Sequence, residues 1–219
     1  MASDRFAVTG RREQLLSRRV VLLAGPSGSG KSRVARLAGC PSLNLDDFYY
    51  DADHPDLPLL TKSDRGFEGG APLAVQIDWD DPGSWNAAEA VAAVDQLLQS
   101  GTAEVPRYDI SRSARVGSHR VDLGDATCFV AEGVFGMEMA EHCRSAGVTV
   151  ERLFLDRPRI LVMILRFVRD LREHRKPLPM LVRRGLALYR ADAGLRRRAL
   201  AADFRMVGLR QALSVISGS

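Results

Sequence analysis

A glycine-rich segment near the amino terminus has the residue types and spacing of a phosphate-binding loop. Residues 25–32 have the sequence GPSGSGKS, which fits the pattern G-x-x-x-x-G-K-[ST] at every defined position. Glycines allow a tight turn whose N–H groups converge on phosphate oxygens, and a following helix adds its positive end. Lys31 is expected to reach the β- and γ-phosphates of ATP, and the Ser32 hydroxyl to ligate Mg²⁺. The predicted nucleotide-binding residues are Gly25, Ser27, Gly28, Ser29, Gly30, Lys31 and Ser32.

The elements that must position this phosphate loop (residues 25–32) alternate between short apolar runs and longer helical patterns. Residues 19–24 predict a buried strand directly before the loop, and residues 31–38 predict the helix after it. Residues 42–45 predict a short strand that leads into Asp46 and Asp47. Further strands are predicted at 126–131, 149–155 and 203–207 and within 103–122, and further helices at 85–99, 159–175, 181–200 and 208–216. This alternation predicts an α/β fold with a parallel sheet covered by helices.

Length, composition and cysteine content narrow the class of protein. With 219 residues, of which 46% are hydrophobic and 26% charged, the chain can bury one substantial core. The three cysteines are odd in number and have no CxxC spacing, so neither a disulfide framework nor a zinc site is indicated. No signal-peptide pattern and no apolar stretch of membrane-spanning length occurs. We therefore expect a cytoplasmic protein without a membrane partner.

The basic balance of the chain has two explanations. A formal net charge of +4 could serve nucleic-acid binding, but anionic nucleotides explain it equally well. No groove-reading motif accompanies the basic residues, so we expect a small-molecule substrate and no nucleic-acid partner. The sequence also lacks the N-K-x-D segment of guanine-specific GTPases.

Four further segments resemble motifs of the uridine kinase branch of P-loop kinases, whose relatives include phosphoribulokinase and pantothenate kinase. They are Leu45–Tyr49 (LDDFY), Trp79–Pro82 (WDDP), Pro106–Asp109 (PRYD) and Arg166–Asp170 (RFVRD). The resemblance covers about residues 19–176 and implies the P-loop NTPase fold of nucleoside and nucleoside monophosphate kinases, which has three layers, a parallel sheet and a helical lid. It further implies one domain over residues 1–219, with a substrate-site insertion at about 48–83 and a lid at about 159–180.

The resemblance implies a set of catalytic residues. Asp46 matches the family's general base, which accepts the proton of the substrate hydroxyl. Lys31 and Arg169 match the groups that stabilise the transferring phosphate. The alternative is that Asp46 and Asp47 only cap a loop, and Asp47 is expected to be structural or solvated. Because Arg166, Arg169 and Arg172 lie near one helix face, spacing alone does not decide which of them reaches the phosphate.

The resemblance also implies residues that bind the acceptor and the metal. Tyr49 matches a tyrosine that encloses the nucleoside, and Tyr108 matches an aromatic ring that stacks on the base; both could instead be ordinary half-buried tyrosines. Asp80 and Arg166 match groups that contact the sugar. Glu132 follows a strand, where this family places an acid near Mg²⁺, although an acid at a helix start is the alternative. The predicted metal ligands are therefore Ser32 and Glu132.

Departures from the family pattern leave the acceptor open. Ser113 stands where the family has a base-reading histidine, and His174 and Lys176 replace later arginines of the lid. Changed hydrogen-bond donors imply a changed base or a substrate that lacks one. We expect an ATP- and Mg²⁺-dependent kinase for a nucleoside-like hydroxyl. The alternatives are a kinase for another small alcohol or sugar phosphate, and a catalytically silent ATP-binding regulator. The oligomeric state, a homo-oligomer included, stays open.

Overall fold

The computed structural model of the chain describes residues 18–26, 28–60, 77–158, 160–162 and 194–218. Seven strands occur in this part of the chain: β1 Arg19–Ala24, β2 Ser42–Asn44, β3 Thr102–Asp109, β4 Ala114–Asp122, β5 Cys128–Glu132, β6 Glu151–Leu155 and β7 Arg205–Val207. The helices with both ends described are α1 Lys31–Leu37, α2 Ala87–Ser100, α3 Gly136–Ser145 and α4 Leu209–Ser217. Short 3₁₀ turns occur at Leu45–Phe48 and Pro82–Ser84, and residues 160–162 and 194–201 are helical.

The central sheet has five parallel strands in the order β2-β5-β1-β6-β7. The apolar runs of β1 and β5 are buried along nearly their whole length, which is typical of parallel strands covered on both faces. The register pairs Leu23 of β1 with Glu132 of β5, and Asn44 of β2 with the same Glu132. The carboxyl ends of these three strands therefore meet at one edge of the sheet, where ligands of open α/β sheets bind.

Alternate side chains of β1 supply the cores on the two faces of the sheet. Val20 and Leu22 pack in a cluster with residues of α2 and α3, whereas Val21 and Leu23 pack in a cluster with residues of α1 and α4. The sheet is thus the middle layer of three, as the sequence predicted.

A separate antiparallel pair, β3–β4, follows helix α2. Helix α2 begins with a reciprocal cap, in which the Asn86 side chain accepts a hydrogen bond from the Glu89 N–H and donates one to the Glu89 carboxylate. The helix ends at Gly101, whose positive φ of 79° closes the last turn. Strand β3 of this β3–β4 hairpin contacts the turn Leu45–Phe48 at the ligand-binding edge.

The described elements agree closely with the sequence predictions, with one addition. Helix α3 was not predicted, because it starts at a glycine, has no side-chain cap and carries few apolar residues. Most of the helices predicted at 159–175 and 181–200 lies outside the described residues, and so do much of the substrate-site insertion and of the lid. None of the described helices combines the length and apolar character that a membrane crossing needs.

Candidate active site

The phosphate loop connects β1 to α1 at the ligand-binding edge. Gly28 and Gly30 have positive φ angles of 78° and 97°, a conformation that side chains other than glycine rarely adopt. The N–H of Ser29 donates to the carbonyl of Pro26 at 3.1 Å, which closes the turn. The loop therefore has the backbone conformation that the motif predicts. Ser27 lies outside the described residues.

Lys31 is buried inside this loop. Its ammonium group donates to the carbonyl oxygens of Gly25 and Pro26 at 2.9 and 3.3 Å. The charge also favours the ionised forms of Glu132 and Asp46, since it opposes the effect of burial on the pKa of both carboxyl groups. Lys31 thus lies near both Asp46, the predicted base, and Glu132, the predicted metal ligand.

Ser32 and Glu132 bring two oxygen donors together. The exposed Ser32 donates its hydroxyl hydrogen to the buried Glu132 carboxylate, with 2.5 Å between the oxygens. Burial raises the pKa of Glu132, while Lys31 and the Ser32 hydroxyl lower it. Mg²⁺ in kinase sites is held by one or two protein oxygens plus substrate phosphates. The pair fits that role, whereas no cluster of three or more His, Cys, Asp or Glu side chains with metal-site geometry occurs among the described residues.

Asp46 lies beside the end of β5. Its Oδ1 accepts a hydrogen bond from the N–H of Val134 at 2.8 Å, and Oδ2 has no hydrogen-bond partner within the described segments. Burial raises the pKa of Asp46, and the Val134 N–H and Lys31 partly offset that effect. The carboxyl group is therefore half-buried, positioned by one oxygen and close to Lys31, as a general base near a phosphate requires.

Gly133 makes this approach of Asp46 sterically feasible, and the sequence analysis did not single it out. A Cβ at Gly133 would lie 2.7 Å from Asp46 Oδ1 and 2.7 Å from the Cβ of Leu45. Such distances are far below van der Waals contact. Because Gly133 has no side chain, Asp46 can lie close to the end of strand β5, which carries Glu132.

Asp47 has the structural role that the sequence predicted. Its Oδ1 accepts a hydrogen bond from the backbone N–H of Tyr108 at 3.1 Å. The Trp85 indole adds a second link, since it donates to the carbonyl of Leu45 at 2.7 Å. These contacts fix the turn Leu45–Phe48 between the hairpin and helix α2.

Aromatic rings cluster near Asp46, whose charge acts on the Tyr49 hydroxyl. The ring centroid of Tyr49 lies 5.6 Å from that of Trp79 and 5.4 Å from that of Tyr108. The Tyr49 hydroxyl donates to the carbonyl of Trp79 at 3.1 Å, and burial raises its pKa. Tyr49 is thus mainly a packed ring, whereas Tyr108 is half-buried and Asp80 is exposed beside the cluster. Arg166 and Arg169 lie outside the described residues.

Arg157 is a second residue that the sequence analysis missed. It lies just after β6, and its guanidinium donates to the carbonyl of Ser29 at 3.1 Å. A Cβ on Gly30 would be 3.5 Å from the same nitrogen, so the guanidinium rests against the phosphate loop. The signal available in the sequence was its position just after a predicted parallel strand, at the edge where ligands bind.

The fold and the site together define a parallel-sheet α/β protein with a phosphate loop and two acids at its mouth. No protein-family model matches the chain, and no curated protein has a significantly similar sequence. Solved structures are similar in fold. A proposed fructose transport system kinase from Silicibacter sp. TM1040 has a TM-score of 0.54 and 18% identity, over 81% of this chain and 85% of its own. The YGR205w protein has a TM-score of 0.50 and 14% identity, over 89% and 87%.

A proposed uridine kinase from Bacillus stearothermophilus is 19% identical over 71% of this chain and 80% of its own, with a TM-score of 0.41. That superposition is too weak to support an argument. The first two structures agree with the predicted α/β fold with a parallel sheet covered by helices, and at these identities the likeness concerns the fold alone.

Proposed function

We propose that the chain transfers the γ-phosphoryl group of ATP to a hydroxyl of a small molecule. One observation supports this most strongly: Asp46 stands beside Glu132 and close to Lys31 at the mouth of the phosphate loop. A loop that only binds nucleotide has no need of a half-buried carboxylate there. A kinase needs one to accept the proton of the attacking hydroxyl.

The residues present suggest how the reaction proceeds. Backbone N–H groups of the phosphate loop and Lys31 bind the β- and γ-phosphates, and Lys31 exchanges its contacts with the Gly25 and Pro26 carbonyls for phosphate oxygens. A Mg²⁺ ion at Ser32 and Glu132 would neutralise part of the phosphate charge. The hydroxyl oxygen of the small molecule attacks the γ-phosphorus of ATP while Asp46 takes up the hydroxyl proton. The bond between the γ-phosphorus and the β–γ bridging oxygen breaks. The products are ADP and a phosphomonoester.

The raised pKa of Asp46 suits this role. A carboxyl group whose burial raises its pKa is a stronger base than an exposed aspartate, and the charge of Lys31 favours its ionised form. Its Oδ1 keeps the Val134 hydrogen bond during the reaction, which leaves Oδ2 to face the acceptor.

For the acceptor, we propose a hydroxyl compound with a flat ring, such as a nucleoside. The support is the position of half-buried Tyr108 and exposed Asp80 next to the Tyr49–Trp79 pair. A ring can stack on an aromatic side chain, and a carboxylate is a strong acceptor for vicinal hydroxyl groups. The rival acceptors are a non-aromatic alcohol and a sugar phosphate.

The test measures ADP release with Mg²⁺ against a panel of nucleosides, polyols and sugar phosphates. We expect one acceptor class to stimulate turnover, and Asp46→Asn to lower kcat by at least about 100-fold with little change in ATP affinity. Asp47→Asn is the matched control, because asparagine can still accept the Tyr108 N–H, and it should retain most activity.

The outcomes separate the alternatives. Stimulation by nucleosides that weakens for analogues lacking ribose hydroxyls supports the ring-bearing acceptor, and stimulation by polyols or sugar phosphates alone overturns it. ATP binding that no acceptor in the panel converts to turnover supports a silent regulator instead of a kinase.

A further inference from the structure

Two cysteines lie next to each other at the edge of the sheet opposite the phosphate loop. Cys40 follows helix α1, and Cys128 is the first residue of β5, whose other end carries Glu132. Both belong to the apolar cluster on the α1 side of the sheet. The Cys40 thiol donates to the carbonyl oxygen of Cys128 at 3.0 Å, so its sulfur lies against the backbone of Cys128.

The backbone geometry suits a covalent link. Ser42 of β2 pairs with Val130 of β5, and the N–H of Val130 donates to the carbonyl of Pro41 at 2.9 Å. Cys40 lies two residues before Ser42 and Cys128 two residues before Val130, so both stand at the start of this strand pair. Neighbouring strands are about 4.8 Å apart, and disulfides span Cα–Cα distances of about 4.4–6.8 Å. The spacing expected between the two backbones therefore falls within the Cα–Cα range that disulfides span.

The surroundings give the two thiols different properties. The hydrogen bond from Cys40 and the guanidinium of Arg19, the partner of Cys128 in the β1–β5 register, hold the pKa of Cys128 below its ordinary value, against burial and Glu151. The same hydrogen bond and burial raise the pKa of Cys40. The two thiols therefore differ, because the pKa of Cys128 is lowered and that of Cys40 is raised, and because Cys128 is buried whereas Cys40 is partly open to solvent.

We propose that Cys40 and Cys128 form a dithiol site that a peroxide converts to an intramolecular disulfide. The Cys128 thiolate attacks one oxygen of hydrogen peroxide, the O–O bond breaks, and hydroxide leaves, which gives Cys128 sulfenic acid. The Cys40 sulfur, losing its proton, then attacks the Cys128 sulfur, and the second oxygen leaves as water. Two thiols are oxidised, and one peroxide is reduced to two waters.

The third cysteine provides an internal reference. Cys143 is fully buried in helix α3, and burial raises the pKa of its thiol to about 11. Cys143 belongs to the cluster on the α3 side of the sheet, whereas Cys40 and Cys128 pack on the α1 side. Oxidation by a small peroxide should therefore consume Cys40 and Cys128 and leave Cys143 reduced.

The experiment treats the reduced full-length chain with hydrogen peroxide and measures intact mass, free thiols and the disulfide-linked peptides. We expect a loss of two hydrogen atoms per chain and a fall from three free thiols to one. The Cys40–Cys128 peptide should be recovered, and dithiothreitol should reverse all three changes. Cys143→Ser should form the same disulfide.

Two variants test the order of the steps. Cys40→Ser should stop at a sulfenic acid on Cys128 that dimedone traps, whereas Cys128→Ser should leave Cys40 at least about tenfold less reactive. The proposal is wrong if oxidation links separate chains, if the disulfide includes Cys143, or if all three thiols survive a peroxide dose that oxidises free cysteine. Because the site lies at the opposite edge of the sheet, these results do not depend on the proposed kinase activity.

Discussion

Replacing Gly133 with alanine tests whether the position of Asp46 matters for the reaction. The new Cβ would lie 2.7 Å from Asp46 Oδ1, which is 0.7 Å short of the 3.4 Å at which ordinary van der Waals contact begins. The new Cβ would also lie 2.7 Å from the Cβ of Leu45, so it clashes with two neighbouring residues of the same segment. The segment that carries the carboxylate must therefore move by roughly 0.7 Å or more.

This displacement gives the expected size of the effect. Misplacing a reacting group by about 1 Å costs on the order of 10²-fold in rate. We expect acceptor-dependent kcat/KM to fall by roughly 30- to 100-fold, or about 2–2.7 kcal/mol. Overpacking should also lower the free energy of unfolding by about 1–3 kcal/mol. The three atoms nearest the new Cβ belong to Asp46 and Leu45 and not to the phosphate loop, so the Kd for ATP should change by less than about threefold.

The assay combines ADP release with the acceptor identified in the panel, ATP binding by calorimetry, and urea unfolding. Gly208→Ala is the matched control, since a Cβ there meets nothing within 4 Å and its φ is −77°. That variant should retain wild-type kinetics. A Gly133→Ala enzyme with unchanged kcat/KM, or one whose ATP affinity falls in step with its rate, would refute the reasoning.

Three further expectations concern the neighbouring side chains. Burial raises the pKa of Asp46 and Glu132 above the ordinary values of 3.8 and 4.5. The protonated carboxyl groups therefore stabilise the fold fully when the pH is below those ordinary values. This stabilisation is lost as the pH rises through the raised pKa values. Asp46→Asn and Glu132→Gln should therefore raise Tm at pH 8 but not at pH 3.5, and an equal shift at both would contradict this. Arg157→Gln removes the guanidinium that holds Ser29, and calorimetry should show ATP binding weakened by about tenfold, whereas an unchanged Kd would exclude a role. Tyr108→Phe should leave the acceptor KM within about threefold, while Tyr108→Ala should raise it by about tenfold; equal effects would argue against ring stacking.

The sequence predicted those features that depend on local chemistry. The phosphate loop is one continuous segment, and its neighbours are an apolar run and a helical pattern, so both the loop and its position between β1 and α1 followed from the residues. The register of parallel strands then brought Glu132 beside β1, as expected for acids at the carboxyl ends of strands.

Features that depend on tertiary contacts were not predicted. Gly133 packs against Asp46 and Leu45, and Arg157 binds the carbonyl of Ser29, so the partners of both are distant in sequence. The residues adjacent to Gly133 and Arg157 in the sequence give no sign of these contacts. The substrate contact of Tyr49 stays a prediction, whereas the hydrogen bond from its hydroxyl to the Trp79 carbonyl was not predicted. Which face of a ring packs inward depends on the hairpin and on helix α2, and a linear motif does not specify their arrangement.

The aromatic cluster also has a spectroscopic consequence. The chain contains two tryptophans. Trp79 contacts Tyr49 and Tyr108, and Trp85 packs on Phe135 while its indole N–H binds the Leu45 carbonyl, one residue before Asp46. Both fluorophores therefore lie near the residues proposed to bind the acceptor, and neither lies in the phosphate loop. Intrinsic emission should respond to the molecule being phosphorylated more than to the nucleotide, and it can be followed without attaching a dye.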